Sequence, residues 1–288
     1  MHNTGLETIE KIISEYVRGF SLDLNSLDIY DSLRYKNMYE IQAAQIIAFT
    51  YKNDLKAVES LIPMLEESFI DSYPFGWNEK PYSPYDMDHG SYGAVTTAIC
   101  SYSLIFALSI NIRTSAKDKI INMLNKVFDS IYSLENNGYI RKNLINKSRV
   151  FNTDLIVALV TLKYIQILPL NSVRRYLFKE MSIRCVNRTL YHQMPNGAFR
   201  YHDLSISIPI LYQAMCTSLL FSISDYIKHP YIFRSSMKGA NFLLRNYDIL
   251  EHRFDWEKSN CQDKAGSIWI YGWLPNILNR VGYNKVYN

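Results

Sequence analysis

The feature that most constrains this chain is a glycine followed by an aromatic residue, recurring about every sixty residues. It reads RGF at Gly19-Phe20, FGW at Gly76-Trp77, NGY at Gly138-Tyr139 and NGAF from Gly197 to Phe199. A degenerate copy, FDW, puts Asp255 in the glycine position, and successive copies are 57, 62, 59 and 58 residues apart. Self-similarity at a fixed period of this size marks stacked supersecondary units. Around each copy the same order repeats. An amphipathic helix comes first, as in AKDKIINMLNKVFDSIYSL, where Ile120, Ile121, Leu124, Val127, Phe128 and Ile131 share one face. The glycine–aromatic turn follows, since glycine tolerates the left-handed conformation that ends a helix. A polar, aromatic loop then leads to a helix that is apolar nearly all round: YEIQAAQIIAFTY, YGAVTTAICSYSLIFAL, TDLIVALVTLKYIQIL, PILYQAMCTSLLFSI and a weaker SIWIYGWLPNIL.

A helix with one apolar stripe belongs on the outside, and a helix apolar on most faces must be enclosed. The alternation predicts an all-α fold, an α/α toroid (barrel) of about five helical hairpins, forming a single domain over residues 1–288. The repeats run about 5–54, 55–111, 116–168, 172–228 and 231–284. An open α-solenoid uses the same packing without closing and is the alternative. The ring is favoured because the second helix of a solenoid usually keeps a solvated face, and most of these do not. The long loops would then gather around one mouth, where a site is expected.

Composition narrows the function classes. The net charge of +4 is small and dispersed, no block of five or six basic residues occurs, and no nucleic-acid-binding motif is present. Nucleic acid is therefore not an expected partner. Cys100, Cys185, Cys216 and Cys261 are far apart with no CxxC pairing, which reads as buried free thiols. The opening MHNTGLETIEKIISEYV lacks the basic-then-apolar order of a signal peptide and reads as an amphipathic helix, so a cytoplasmic location is the expectation. Residues 93–110 come nearest to a membrane span, but Thr96, Thr97, Ser101 and Ser103 and the absence of a basic flank predict a buried helix. No integral membrane segment is expected.

The fourth repeat reads YHQMPNGAFRYH, in which Gln193, Gly197 and Phe199 fit Q-x-x-x-G-x-aromatic. This resembles the repeat motif of the terpenoid cyclase and protein prenyltransferase superfamily, whose members are built from α/α toroid domains. Class II terpene cyclases carry a D-x-D-D motif where a loop meets an inner helix, and here Asp86-Met87-Asp88-His89 looks like D-x-D-H in a comparable place. The resemblance implies a protonation-initiated cyclisation of an isoprenoid in isoprenoid biosynthesis, an isomerase-type reaction. Asp88 would be its general acid, Asp86 the supporting carboxylate, and His89 would stand for the last aspartate. Such an acid must be neutral and dry, which burial and a neighbouring carboxylate both favour. Carbocations also need aromatic faces. Trp77, Tyr82, Tyr85 and Tyr92 surround the motif in sequence, and Trp256, Trp269, Tyr271 and Trp273 come from the fifth repeat. Aspartates at a helix start can equally be caps. The resemblance also implies a partner, because class II cyclases place their acid between two toroid domains. A second subunit, a homodimer or a small substrate would have to complete the enclosure.

The other loops support a rival reading. Repeat three supplies Arg141, Lys142, Arg149, Asn152 and Asp154, and repeat four supplies Arg200, Tyr201, His202 and Asp203. Hydrogen-bonding side chains with aromatic platforms suit a carbohydrate cleft, and polysaccharide lyases, uronyl epimerases and glycoside hydrolases also use α/α toroids. A Tyr/His pair near a uronate carboxylate could abstract a proton, and Asp88 with Asp154 could serve hydrolysis. The same arginines could instead grip an isoprenoid diphosphate, with Mg²⁺ as the one cofactor the sequence suggests. Zinc is disfavoured: Cys261-Gln262-Asp263 lacks a following histidine, and His192 and His202 have no cysteine between them. There is no GxSxG and no phosphate-binding glycine loop. A non-catalytic helical-repeat binding protein is the third reading.

Overall fold

A computed structural model of the chain describes residues 39–78, 92–142, 149–248, 253–254, 273 and 276–282. Four inner helices are seen: α1 (Tyr39–Tyr51), α3 (Ala94–Ala107), α5 (Phe151–Ile167) and α7 (Ile210–Ser224). Each is followed by an outer helix: α2 (Leu55–Glu67), α4 (Thr114–Leu134), α6 (Val173–Tyr191) and α8 (Pro230–Arg245). The inner helices pack in chain order, α1 on α3, α3 on α5 and α5 on α7, and each also packs on the outer helix that follows it. Enclosure follows from sequence. In α5 only Lys163, Gln166 and Ile167 escape burial, whereas α4 buries one stripe that includes Ile120, Leu124, Val127, Phe128 and Ile131; Ile121, expected on that face, turns a helix step away from it and is exposed. A single apolar cluster runs from Ala43 in α1 to Ile223 in α7 and Ile232 in α8, with the Phe128 and Tyr164 rings stacked at 4.0 Å.

Connections from inner to outer helix are short, and those from outer to inner helix are long. The long loops therefore share one end. They are stitched together by backbone bonds: Ala94 N donates to Lys142 O at 2.8 Å, and Val150 pairs with His202. The glycine–aromatic turns lie here. After α4, β1 (Glu135–Asn136) and β2 (Tyr139–Ile140) form a tight hairpin with Asn137 and Gly138 both at positive φ, the conformation that two-residue hairpins require.

Gly138 and Gly197 have a second reason to be glycine. A Cβ on Gly138 would lie 2.6 Å from the Arg184 carbonyl oxygen of the next outer helix, and one on Gly197 would overlap the Lys238 carbonyl. Each turn is also clamped to that helix. Glu135 accepts from Gly138 N at 2.6 Å and pairs with Arg184 at 2.7 Å. Gln193 Nε2 donates to Gly197 O at 3.0 Å and to Ser235 O at 2.9 Å in α8. The glutamine and glycine of the repeat thus hold successive outer helices together. The motif aromatics point inward: Trp77, Tyr139 and Phe199 are all buried.

At the opposite end, Lys163 of α5 sits between the rings of Tyr102 and Tyr226, 5.0 and 5.5 Å from their centroids. Burial would lower its pKa, but hydrogen bonding to Tyr226 and Tyr102 outweighs this and holds it above its ordinary value. It joins the C-terminal ends of three inner helices. Among the described residues, no helix is long and apolar enough to cross a membrane.

Replacing Gly197 by alanine should destabilise the fold by about 2 kcal/mol or more, since it adds a left-handed penalty to a backbone clash. Alanine at the exposed Pro195, in the same turn, gives up only the restraint its ring places on the unfolded chain. It should cost no more than about 1 kcal/mol. Thermal unfolding of the two variants makes the comparison; equal losses would mean that the close approach is unimportant.

Candidate active site at the mouth

Two adjoining clefts open at the loop end between repeats three and four. One, of about 280 Å³, is lined by Asn136, Asn137, Tyr139, Arg149, Arg188 and His192. The other, of about 210 Å³, is lined by Phe151, Tyr191, His192, Met194, Arg200 and Asp203. His192 belongs to both, and together they reach the size of a small-molecule site, about 300–1,000 Å³.

The clefts are cationic. The Arg149 and Arg188 guanidinium carbons lie 4.8 and 5.1 Å from the Tyr139 ring centroid, a cation–π arrangement that holds both groups in place. Both approach Asp203 Oδ2, at 3.6 and 3.9 Å, closer to ion pairing than to hydrogen bonding. Neither guanidinium has a hydrogen-bond acceptor among the described residues, and Arg188 Nε is buried without one. The planar guanidinium fork matches a ligand carboxylate in pairs.

His192 caps the C-terminus of α6, four residues after Arg188, so the two share a helix face. Its ring stacks on Phe151 at 5.1 Å. Partial burial, and then the Arg188 charge, lower its pKa below 6.5, with Arg149 and Arg200 adding to the effect and Asp203 opposing it. It is a neutral imidazole at physiological pH, able to accept a proton.

Asp154, in the first turn of α5, is fully buried beneath this surface. Its Oδ1 accepts from Ile140 N at 2.6 Å, and its Oδ2 has no partner among the described residues. In the next repeat Gln213 Oε1 accepts from Phe199 N at 2.6 Å, again across fourteen residues. The two side chains are repeat equivalents that pin the residue two places after the glycine. Burial raises the Asp154 pKa well above 3.8, against the lowering effects of the Ile140 N–H and Arg188, so the acid behaves as a neutral counterpart of glutamine. The same burial pushes up the Cys185 thiol nearby.

Among the residues singled out from sequence, Arg149 and Arg200 line the clefts. Tyr201 and His202 stand beside them. Tyr201 packs on Tyr212 at 4.6 Å, and His202 lies 3.9 Å from Asp203 and accepts from Leu204 N. Arg141 is half-buried and lines neither cleft. Trp77 is enclosed, its indole N–H donating to Leu65 O at 2.9 Å, and Tyr92 is buried with it. Asp86, Asp88, His89, Tyr82, Tyr85, Trp256, Trp269 and Tyr271 lie outside the described residues. Sequence reasoning misses Arg188 and Tyr139 as site residues, and it weighs His192 only as a zinc ligand. Their signal is the Arg-x-x-x-His spacing at the end of an outer helix, just before a glycine turn. Among the described residues no group of three or more His, Cys, Asp or Glu could hold a metal ion.

No family model matches the sequence, and no curated protein sequence does so either. Solved structures do. A possible member of the GH105 family from Salmonella enterica superposes with a TM-score of 0.67 at 11% identity, covering 98% of this chain and 79% of that one. Cellobiose 2-epimerase from Spirochaeta thermophila gives 0.67 at 10% identity, covering 85% and 70%. A glycosyl hydrolase of family 88 from Bacteroides vulgatus gives 0.61 at 10% identity, covering 85% and 74%. The fold is an α/α toroid. At these identities the likeness establishes the fold and no more.

The expectation of a terpene cyclase is overturned. The similar toroids named above carry the names of carbohydrate-active enzymes. The physical reason lies in the clefts: three arginines around the mouth would repel a carbocation that aromatic faces alone should surround. The glutamine–glycine motif, which carried the resemblance, serves the framework.

The Asp154 pair of variants separates its roles. The folded protein keeps a proton that the unfolded chain releases above about pH 4, so its stability falls as pH rises from there toward neutrality. Asp154→Asn keeps the acceptor and cannot ionise, so it should match the wild type near pH 4 and exceed it at pH 7. Asp154→Ala strands the Ile140 N–H and should cost about 1–3 kcal/mol. Denaturant melts across pH test both, and parallel curves for wild type and Asp154→Asn would refute the raised pKa.

Proposed function

We propose that the protein is a carbohydrate-active enzyme acting on an acidic glycan, and that it takes a proton from the carbon beside a sugar carboxylate, as lyases and epimerases do. The observation that carries this reading is the pairing of a neutral His192 with the guanidinium groups of Arg149 and Arg188 in one cleft. A uronate carboxylate gripped by two guanidiniums loses much of its negative charge, which makes the adjacent C–H more acidic and stabilises the charge that develops on deprotonation. His192 would receive the proton. Elimination follows if the C4–O bond breaks as the C–H electron pair forms the C4–C5 double bond, the leaving oxygen taking a proton. Epimerisation follows if the proton returns on the other face. The similar structures include a protein named as an epimerase and one named as a polysaccharide lyase, so either outcome suits the fold.

Tyr191, exposed at the rim of one cleft, offers a sugar platform. From their place in the sequence, Asp86, Asp88 and His89 before α3, and Trp256, Trp269 and Tyr271 in the fifth repeat, are proposed as further substrate-facing groups. The Mg²⁺ expectation belongs to a diphosphate substrate and is not carried into this reading.

The test is incubation with uronate-containing oligosaccharides in D₂O. Either an ultraviolet-absorbing unsaturated product or deuterium at C5 should appear. Turnover of neutral glycans alone, with neither signal from any uronate, would sink the proposal. His192→Ala should lose about 10²–10⁴-fold in kcat, and Arg188→Met should raise KM. The wild-type rate should rise with pH through a midpoint below 6.5, and that midpoint should move upward in Arg188→Met, because a charge that disfavours imidazolium is gone.

A further inference from the structure

The end of the ring opposite the clefts carries a feature that glycan chemistry does not use. At the inner-to-outer turns an apolar side chain, exposed at Tyr51 and Val173 and partly buried against the core at Ile110 and Ile227, stands near a basic one. Tyr51 is followed by Lys52, Ile110 stands close to Arg113, Val173 precedes Arg174 and Arg175, and Ile227 precedes Lys228. The turn between α5 and α6 is the most prominent. Leu170 is 86% exposed, Val173 72% and Tyr176 64%. In the next turn Tyr231 and Phe233 are also exposed. Isolated exposed apolar residues need no explanation, but a set of them on adjacent turns at one end does.

The charge at this end is equally one-sided. Residues 51–56, 108–118, 167–179 and 225–234 hold nine lysines and arginines against three aspartates and no glutamate, although Arg113 and Arg174 pair with Glu59 and Asp129 from outside these stretches. Two of those aspartates are engaged: Asp54 caps α2 by accepting from Ala57 N, and Asp225 pairs with Arg280. Lys52, Lys56, Lys179, Lys228 and Arg234 have no carboxylate partner among the described residues.

The geometry points to a docking face for an anionic lipid surface, formed by these turns and led by Leu170, Val173 and Tyr176. Apolar tips of this length enter the boundary between headgroups and acyl chains, while flanking lysines and arginines stay at the headgroups and meet their phosphates and carboxylates. A second copy of the chain fits less well. Symmetric pairing through this face would bring lysines and arginines against lysines and arginines. On a membrane, the clefts at the other end would face away from the bilayer, toward soluble ligands.

The experiment is sedimentation of the full chain with phosphatidylcholine vesicles, with or without phosphatidylserine at roughly one lipid in four. Binding should need phosphatidylserine and weaken with added salt. The double variant Leu170→Ser, Val173→Ser should bind at least tenfold more weakly. Its thermal melting should match the wild type, since both side chains are exposed. The control Leu204→Ser, Ile206→Ser, at the mouth, should bind as the wild type does. No binding, equal binding to neutral vesicles, or unchanged binding by the Leu170/Val173 variant would overturn the proposal. So would a dimer in sedimentation velocity that this variant dissociates, which would assign the face to self-association. None of these outcomes bears on uronate turnover.

Discussion

The structure depends on one constraint: a helix such as α5, apolar on almost every face, has to be surrounded. Its neighbours α3 and α7 cover its flanks and α6 covers its back. Each neighbour is itself an inner helix or its outer companion, so the requirement propagates around the repeat. At about 25 cal/mol per Å² of apolar surface removed from water, enclosing such helices is the largest favourable contribution available to this chain. The outer helices need only one apolar stripe, and their polar faces supply the cross-links that set spacing, among them Arg184 to Glu135 and Arg174 to Asp129.

Enclosure is also what gives the polar residues on inner helices their unusual properties. Burial raises the Asp154 pKa well above its ordinary value, whereas two tyrosine hydroxyls and two ring faces hold that of Lys163 up against the cost of burial. Gln213, at the place equivalent to Asp154, meets the same demand with an amide and also donates to Gly197 O. The three show alternative ways for a polar group to survive in one environment. At the loop end Arg149, Arg188 and His192 line one cleft, and that is why chemistry is proposed there.

The architecture was legible because periodicity and burial report on the same thing. The spacing of Gly76, Gly138 and Gly197 and the one-face versus all-face contrast between helices survive without any knowledge of contacts. The site was less legible. Trp77 looks like a binding aromatic from its loop position, yet it is drawn into the core and spends its N–H on Leu65, whereas the equivalent Tyr139 lines a cleft. Arg188 and His192 read as ordinary residues of an amphipathic helix. Only the packing of α6 against β2 turns that helix end toward Tyr139 and makes a cation pair of Arg149 and Arg188. Sequence order could not reveal a pairing made across 39 residues between a loop and a helix.

The clamps around Gly197 have a consequence for how such a molecule can diversify. Gln193 ties one side of the fourth loop to α8, Gln213 ties Phe199 to α7, and Tyr201 N bonds to Ser207 O beyond them. The segment between Tyr201 and Ser207 is therefore a tile set in a fixed frame. Its exposed Leu204 and Ile206 can be exchanged for other side chains with no repacking of the interior, so ligand preference can drift while the scaffold stays unchanged.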